Sequence, residues 1–329
     1  MRFRDLMLND KRGAVLLLVL ATVALFTVMV VNFSADQGLD IELAYNFRDS
    51  AQAQYIARSG IEAAKAILKK DDQAYDSEDE EWGDFPEFAM AASAYLEGPV
   101  FTGSLTDESG KFDLNSLGLQ NDQENSAFRR DQFMRLLEVL ELDMTESEKS
   151  ELAASIKDWV DTDDEETDSG AENEYYQFLD RPYECKNAPM DSPEEILLVK
   201  GMKPEYFYGT ENHEGLRKYV TAGKGGTINI NTAPDAVLMS ISGLITEDVV
   251  EEIKDCRPFM QESFECIRGL NFGDTSGDMT WIKRAVGIKS SRFSADMKGS
   301  MPSGAQVNIK AILERNNSDS VRIVYYKIY

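Results

Sequence analysis

One histidine, three cysteines and nine prolines are spread over 329 residues, and cationic side chains are scarce: 34 Lys and Arg stand against 59 Asp and Glu, a formal net charge of -25. That deficit opposes binding to phosphate backbones, which takes clustered Lys and Arg, so nucleic acid is not an expected partner. His213 is alone in GTENHEGL, a surface-loop composition, and offers no base for a thiol or hydroxyl nucleophile. Neither a histidine metal cluster nor a nucleophile and base pair can be assembled, and the chain reads as a non-enzyme. Three cysteines in an oxidising compartment allow at most one internal disulfide. Cys256 and Cys266 are the expected pair, because the intervening RPFMQESFE contains Pro258 and can turn; Cys185 is left as a buried free thiol.

Long apolar runs are also scarce: the chain has one, Ala14 to Phe33, with no charged side chain. About 20 apolar residues in helix cross a hydrocarbon core. Arg2, Arg4, Lys11 and Arg12 precede the run and an acidic chain follows, so the positive-inside bias keeps the short tail in the cytoplasm and exports the rest. The run exceeds a signal-peptide core and no small-x-small site follows it. A basic tail, Gly13, then an unbroken apolar helix resembles a class III leader, which a prepilin peptidase cuts between Gly13 and Ala14. Most such proteins carry Glu five residues after the cut, where this chain has Leu18.

Beyond Phe33 an apolar period near 3.6 continues through Leu39, Leu43, Phe47, Tyr55, Ile61 and Leu68. It predicts one long helix to about Lys69, half in lipid and half against a folded domain. DDQAYDSEDEEWGD then reads as a solvated acidic loop, and VFTGSLTDESGKFDL, from Val100, as a hairpin turning at DESG. Helical spacing returns with Phe133, Leu136, Leu137 and Leu140. Capping-box signatures at Thr145 with Glu148, Ser192 with Glu195 and Thr232 with Asp235 mark further helix starts. SRFSADMKGSM, AQVNIKAILERN and SVRIVYYKIY alternate as three strands of an antiparallel meander, whose uncovered face needs the soluble half of the N-terminal helix. The expected fold is α+β: a long N-terminal transmembrane helix packed on an antiparallel sheet, with a large all-helical insertion. In segments this is a leader at 1–13, transmembrane and stem helix plus acidic loop at 14–98, hairpin at 99–115, helical insertion at 116–284 and C-terminal strands at 285–329.

The most specific segment is DWVDTDDEETDSGAENEYY, from Asp158. With Asp161 as position one, Asp163 falls at three, Glu165 at five and Glu172 at twelve, an EF-hand-like register for Ca²⁺ with Glu166 where Gly is usual. On the residues alone, a solvated acidic loop is the commoner explanation. Together with DESGKFDLNSL from Asp107, SPEEILLVKGM from Ser192 and ININTAPDAVL from Ile228, however, the ordered set resembles the K-type minor pseudopilins of type II secretion. The resemblance implies a pseudopilin core with a helical insertion that binds calcium through Asp161, Asp163 and Glu172, with Asp164, Asp168 and Asn187 as further ligands. It implies a single-pass inner-membrane protein with its C-terminal domain in the periplasm, processed by prepilin peptidase and assembled with I-type and J-type minor pseudopilins at a pseudopilus tip. ININTAPDAVLMSISGLITEDVVEEI also resembles a helix-hairpin-helix, the basis of a competing DNA-receptor reading. Its turn holds one glycine and Glu247, Asp248, Glu251 and Glu252 follow, so two helices packed through Val237, Leu238, Ile241, Val249 and Ile253 are the expectation. The minor tip subunit of a related type IV pilus is a further alternative.

Overall fold

The computed structural model describes residues 11–118, 123–271, 277–316 and 320–329. Residues 1–10, with Arg2 and Arg4 of the expected leader, lie outside the described residues. The first element, α1 (Lys11–Lys70), is a single helix of 60 residues, about 90 Å at 1.5 Å per residue. One stretch of it is long and apolar enough to cross a membrane.

In chain order there follow α2 (Phe85–Ser93), β1 (Val100–Asp107), β2 (Phe112–Asp113), α3 (Gln123–Val139), α4 (Glu146–Val160), α5 (Asn173–Gln177), α6 (Pro204–Tyr208), β3 (Val220–Thr221) and β4 (Ile228–Asn229). Next come α7 (Asp235–Ile241), α8 (Glu247–Cys256), α9 (Gly277–Ala285), β5 (Val286–Gly287), β6 (Arg292–Ser300), β7 (Gln306–Asn316) and β8 (Ser320–Ile328). A four-stranded antiparallel sheet runs β1-β6-β7-β8. The three C-terminal strands form the expected meander. Phe293, Ala295 and Met297 on β6 and Ile309, Ala311 and Leu313 on β7 are buried at alternate positions, facing α1.

The helix meets that sheet through a narrow face. Ala53, Ala57, Ile61, Ala64 and Leu68 are buried at spacings of three and four, while Leu39, Leu43, Phe47 and Tyr55 are exposed. The apolar period was expected to bury all of these against the domain. Instead the small Ala side chains choose the contact, because they admit the backbone close to the strands. At Gly299 of β6 the approach is closest: a Cβ there would overlap the carbonyl oxygen of Ala53.

Two other expectations are corrected. No hairpin forms over 99–115: β1 pairs with β6 (Leu105 opposite Ala295) and β2 pairs in parallel with β3. The DESG turn instead carries the chain out of the sheet into a second core, where Phe112 and Leu114 are fully buried. The acidic run after α1 is not wholly solvated either. Asp76 and Trp82 are buried, the indole lying edge-on to Phe293 at 5.2 Å, and α2, unmarked in the sequence reading, follows directly.

The second core is helical, running from Phe112 to Ile288, with two short parallel ladders at its margin, β2 with β3 and β4 with β5, each of two residue pairs. On α3 Phe133, Leu136, Leu137 and Leu140 are buried, and on α4 Leu152, Ile156 and Trp159. The Thr145 capping box that starts α4 is present: the Glu148 N–H donates to Thr145 Oγ1 at 3.3 Å and the Thr145 N–H to Glu148 Oε2 at 2.8 Å. Ser192 and Glu195 likewise open a short 3₁₀ helix at Pro193–Leu198. The third signature does not cap: α7 starts after Pro234, and Thr232 Oγ1 donates to Asp107 Oδ2 at 2.6 Å. A buried carboxylate is the stronger acceptor, and it takes the hydroxyl away from the helix. Helices α7 and α8 pack through the five residues expected of them.

Candidate metal centre and the seam beside it

Helix α4 ends at Asp161, whose backbone is extended, and the acidic loop begins there. Its shape is set by Asp158, three residues earlier on the same face and fully buried. The carboxylate of Asp158 accepts N–H bonds from Thr167 at 3.2 Å and from Ala171 at 2.9 Å, drawing the far side of the loop back onto the helix. A side chain at Gly170 would overlap Asp158 Oδ2, which is why this position takes glycine. Lys157 Nζ donates to Thr167 Oγ1 at 2.8 Å from the same turn. Asp158 was not among the expected site residues; its signal was its spacing of three from Asp161 at a helix end.

The folded loop brings one carboxylate oxygen each from Asp161, Asp163 and Glu172 within 4.8 Å of one another. Oxygens ligating one Ca²⁺ at 2.3–2.6 Å cannot be farther apart than roughly 5 Å, so the spacing suits that ion. Asp161 and Glu172 are buried, whereas Asp163 is exposed. Burial, then the charges of Asp163 and Asp158, push the Asp161 carboxyl up to about 7, and burial raises Glu172 as well. The chemistry of the donors fits a hard cation. Asp161 Oδ1, Glu172 Oε1 and Asn187 Oδ1 are buried with no hydrogen-bond partner, a costly state that a cation would relieve.

Asn187, far along the chain, is held by its Nδ2, which donates to the Asp163 carbonyl at 2.9 Å and to Asp164 Oδ1 at 2.8 Å. Its backbone is left-handed, at φ 44°. Asp164 is thus tied to Asn187, and Asp168 is exposed outside the group of three. Glu165 is exposed too, its N–H bonded to Asp163 Oδ1 at 3.0 Å. Cys185 lies beside this loop as a half-buried free thiol, pushed up to about 11 by burial. Cys256 and Cys266 are joined in a disulfide. At the other end of the molecule Gly13, Ala14 and Leu18 are exposed residues within α1.

A second acidic group, Asp71, Asp76 and Glu80, follows α1. Here the countercharge is built in. Arg315 of β7 pairs with Asp71 at 2.7 Å and with Asp76, and donates to the Ser290 carbonyl at 2.9 Å. The neighbouring asparagines of ININTAPDAVL bind the helical lobe to this corner. Asn229 Nδ2 reaches the Asp76 carbonyl at 3.0 Å, Asp107 Oδ2 at 3.1 Å and Ser290 Oγ at 2.7 Å. Asn231 Nδ2 reaches the same Asp76 carbonyl at 3.1 Å and the Phe259 carbonyl at 3.0 Å. Burial raises Asp107 and pushes Asp76 up to about 6. The motif is therefore a latch of buried amides, satisfied on all sides, between sheet and lobe.

Residues 110–223 match the family model described as type II secretion system (T2SS), protein K. The type II secretion system protein K of Klebsiella pneumoniae is 27% identical over 232 residues, 68% of this chain and 66% of that protein. That of Pseudomonas aeruginosa is 26% identical over 261 residues, 76% of this chain and 74% of its own length. In fold, the chain is similar to a chain in the crystal structure of the GspK-GspI-GspJ complex from the enterotoxigenic Escherichia coli type 2 secretion system. The TM-score is 0.68, with 17% identity, covering 86% of this chain and 97% of that one. In its matched segment and its relatives the chain is thus similar to the type II secretion system protein K proteins, and its fold is that of the chain in the GspK-GspI-GspJ structure.

Proposed function

We propose that this protein is a minor pseudopilin at the tip of a type II secretion pseudopilus, where it helps to initiate assembly for protein export. It is a structural subunit and not an enzyme. The observation that carries the reading is the division of α1. Gly13 to Arg48 is exposed along its whole length, and only the segment from Asp49 onward packs on the chain's own sheet. The apolar half beyond membrane length, through Leu39, Leu43 and Phe47, needs neighbouring helices to cover it. I-type and J-type minor pseudopilins are the neighbours we assign to it, since the similar E. coli structure is of GspK with GspI and GspJ.

Prepilin peptidase cuts between Gly13 and Ala14 in this reading, leaving a single-pass inner-membrane protein with its C-terminal domain in the periplasm. Leu18 supports the tip position. A neutral side chain five residues after the cut cannot pair with the N-terminal amine of a preceding helix, and the first subunit has no such neighbour to serve. The helical lobe adds bulk that projects freely from an end but crowds a close-packed stack. The DNA-receptor alternative is disfavoured by the exposed Glu247, Asp248 and Glu251 of α8.

Calcium at Asp161, Asp163 and Glu172, with Asn187 beside them, is the ion we assign to the acidic loop. Bound there, it offsets the crowded carboxylates and fixes the loop to the end of α4. Ligation of the folded form alone adds RT ln(1 + [L]/Kd) to stability, about 2.7 kcal/mol at a hundredfold excess over Kd. The full chain in detergent should melt higher with calcium than with chelator, and Asp161→Ala with Asp163→Ala should abolish the difference; identical melting of the wild type in both overturns the calcium assignment. For the tip position, immunogold labelling of purified filaments should mark ends, and regular signal along the shaft overturns it.

A further inference from the structure

We infer that the cavity at the seam between sheet and helical lobe is a binding site for a doubly charged oxyanion. The cavity holds about 500 Å³, and Lys111, Arg129, Lys224, Lys289, Arg292 and Arg315 line it, against Glu108, Asp113 and Glu314. A cationic lining is unexpected in a chain of net charge -25. Three of these cations are already matched: Lys111 by Glu108 at 2.8 Å, Lys224 by Glu314, and Arg315 by Asp71 and Asp76. Asp113 is also spoken for, since its carboxylate accepts the backbone N–H groups of Gly223, Gly225 and Asn115.

Arg129, Lys289 and Arg292 remain, with no carboxylate in ion-pair contact among the described residues; the charge of the buried Asp113 acts on both arginines, one anion against three cations. The guanidinium of Arg129 is buried, spending its Nη atoms on Gln132 Oε1 at 3.0 Å and the Gly226 carbonyl at 2.8 Å. Its Nε is buried with no partner, and so is the Nε of Arg292. Both arginines line one cavity in which cationic side chains outnumber carboxylates, and an oxyanion bound there offsets that excess by charge-assisted bonds. Arg129 belongs to α3 of the lobe, while Lys289 and Arg292 lead into β6 of the sheet. An anion held between them clamps the two cores together. Carboxylate and tetrahedral oxyanions share this chemistry.

The test uses the full chain in detergent, titrated with succinate in one arm and sulfate in the other, with sodium chloride at matched ionic strength as control. Melting temperature and calorimetric heat are read together. We expect a saturable response in at least one arm, and the tighter arm identifies the class of oxyanion. Arg129→Met should weaken it at least tenfold, and Lys289→Gln, at an exposed position, should weaken it severalfold without risk to folding. A response no larger than sodium chloride gives in both arms, or one equal in the wild type and Lys289→Gln, overturns the proposal.

Discussion

Replacing Asn229 with alanine is the sharpest probe of how the lobe is held. The side chain removed is fully buried and its Nδ2 serves a carbonyl, a carboxylate and a hydroxyl, while its Oδ1 accepts the Asn231 N–H at 3.0 Å. An ordinary intramolecular hydrogen bond nets about 1 kcal/mol, one to a charged group about 1.5–3, and a buried group left unsatisfied costs about 1–3. Thr232 and Ser290 still donate to Asp107, which limits the loss at that carboxylate. The sum is roughly 3–5 kcal/mol, a large share of the roughly 5–15 kcal/mol that holds a typical native protein. Urea unfolding of the full chain in detergent measures it, with Trp82 reporting the sheet core and Trp159 the helical core. The loss should appear in both cores, because the latch joins them. Asn212→Ala, at an exposed turn, should stay within about 0.5 kcal/mol of wild type. A cost for Asn229→Ala below about 1 kcal/mol, or one no greater than for Asn212→Ala, refutes the latch.

Without divalent cation, Asp161 binds its proton more tightly folded, at about 7, than at its ordinary 3.8, so the stability it contributes is fully present below about pH 4 and lost as pH rises to about 7. Melting across that window in chelator should fall more steeply for the wild type than for Asp161→Asn; equal slopes would sink the assignment. Gly299→Val should cost about 1–3 kcal/mol or more by forcing α1 off the sheet at Ala53, detected as faster proteolysis at the stem, and unchanged cleavage would show that the helix does not bear there. Maleimide should label one cysteine only, Cys185, and slowly until denaturant is added, because that thiol is half-buried and pushed up to about 11. Rapid labelling of three thiols in the native protein would contradict both the burial and the Cys256–Cys266 bond.

What the sequence determined on its own is what depends on neighbours a few residues away. The apolar run and its continuing period gave one long helix, since i, i+3 and i+4 contacts need only the local chain. The Thr145 capping box marked the start of α4 because both partners lie within one turn, and alternation along the last three runs gave the meander. Spacing put Asp161, Asp163, Glu165 and Glu172 in one register, and the family resemblance narrowed them to Asp161, Asp163 and Glu172, the three carboxylates that the fold brings together. Tertiary structure decided which groups won competitions across the chain. Val100 to Asp107 found its partner in β6 and not in the adjacent Phe112, because burial of Phe112 in the lobe outweighs a short local ladder. Thr232 left its helix for Asp107, and Asp76 sank from an acidic run into the corner where Arg315 and two asparagine amides await it. Buried polar groups must be satisfied by whatever donor the fold delivers, and that donor is more than a hundred residues away for Asp76, so no local pattern could announce it.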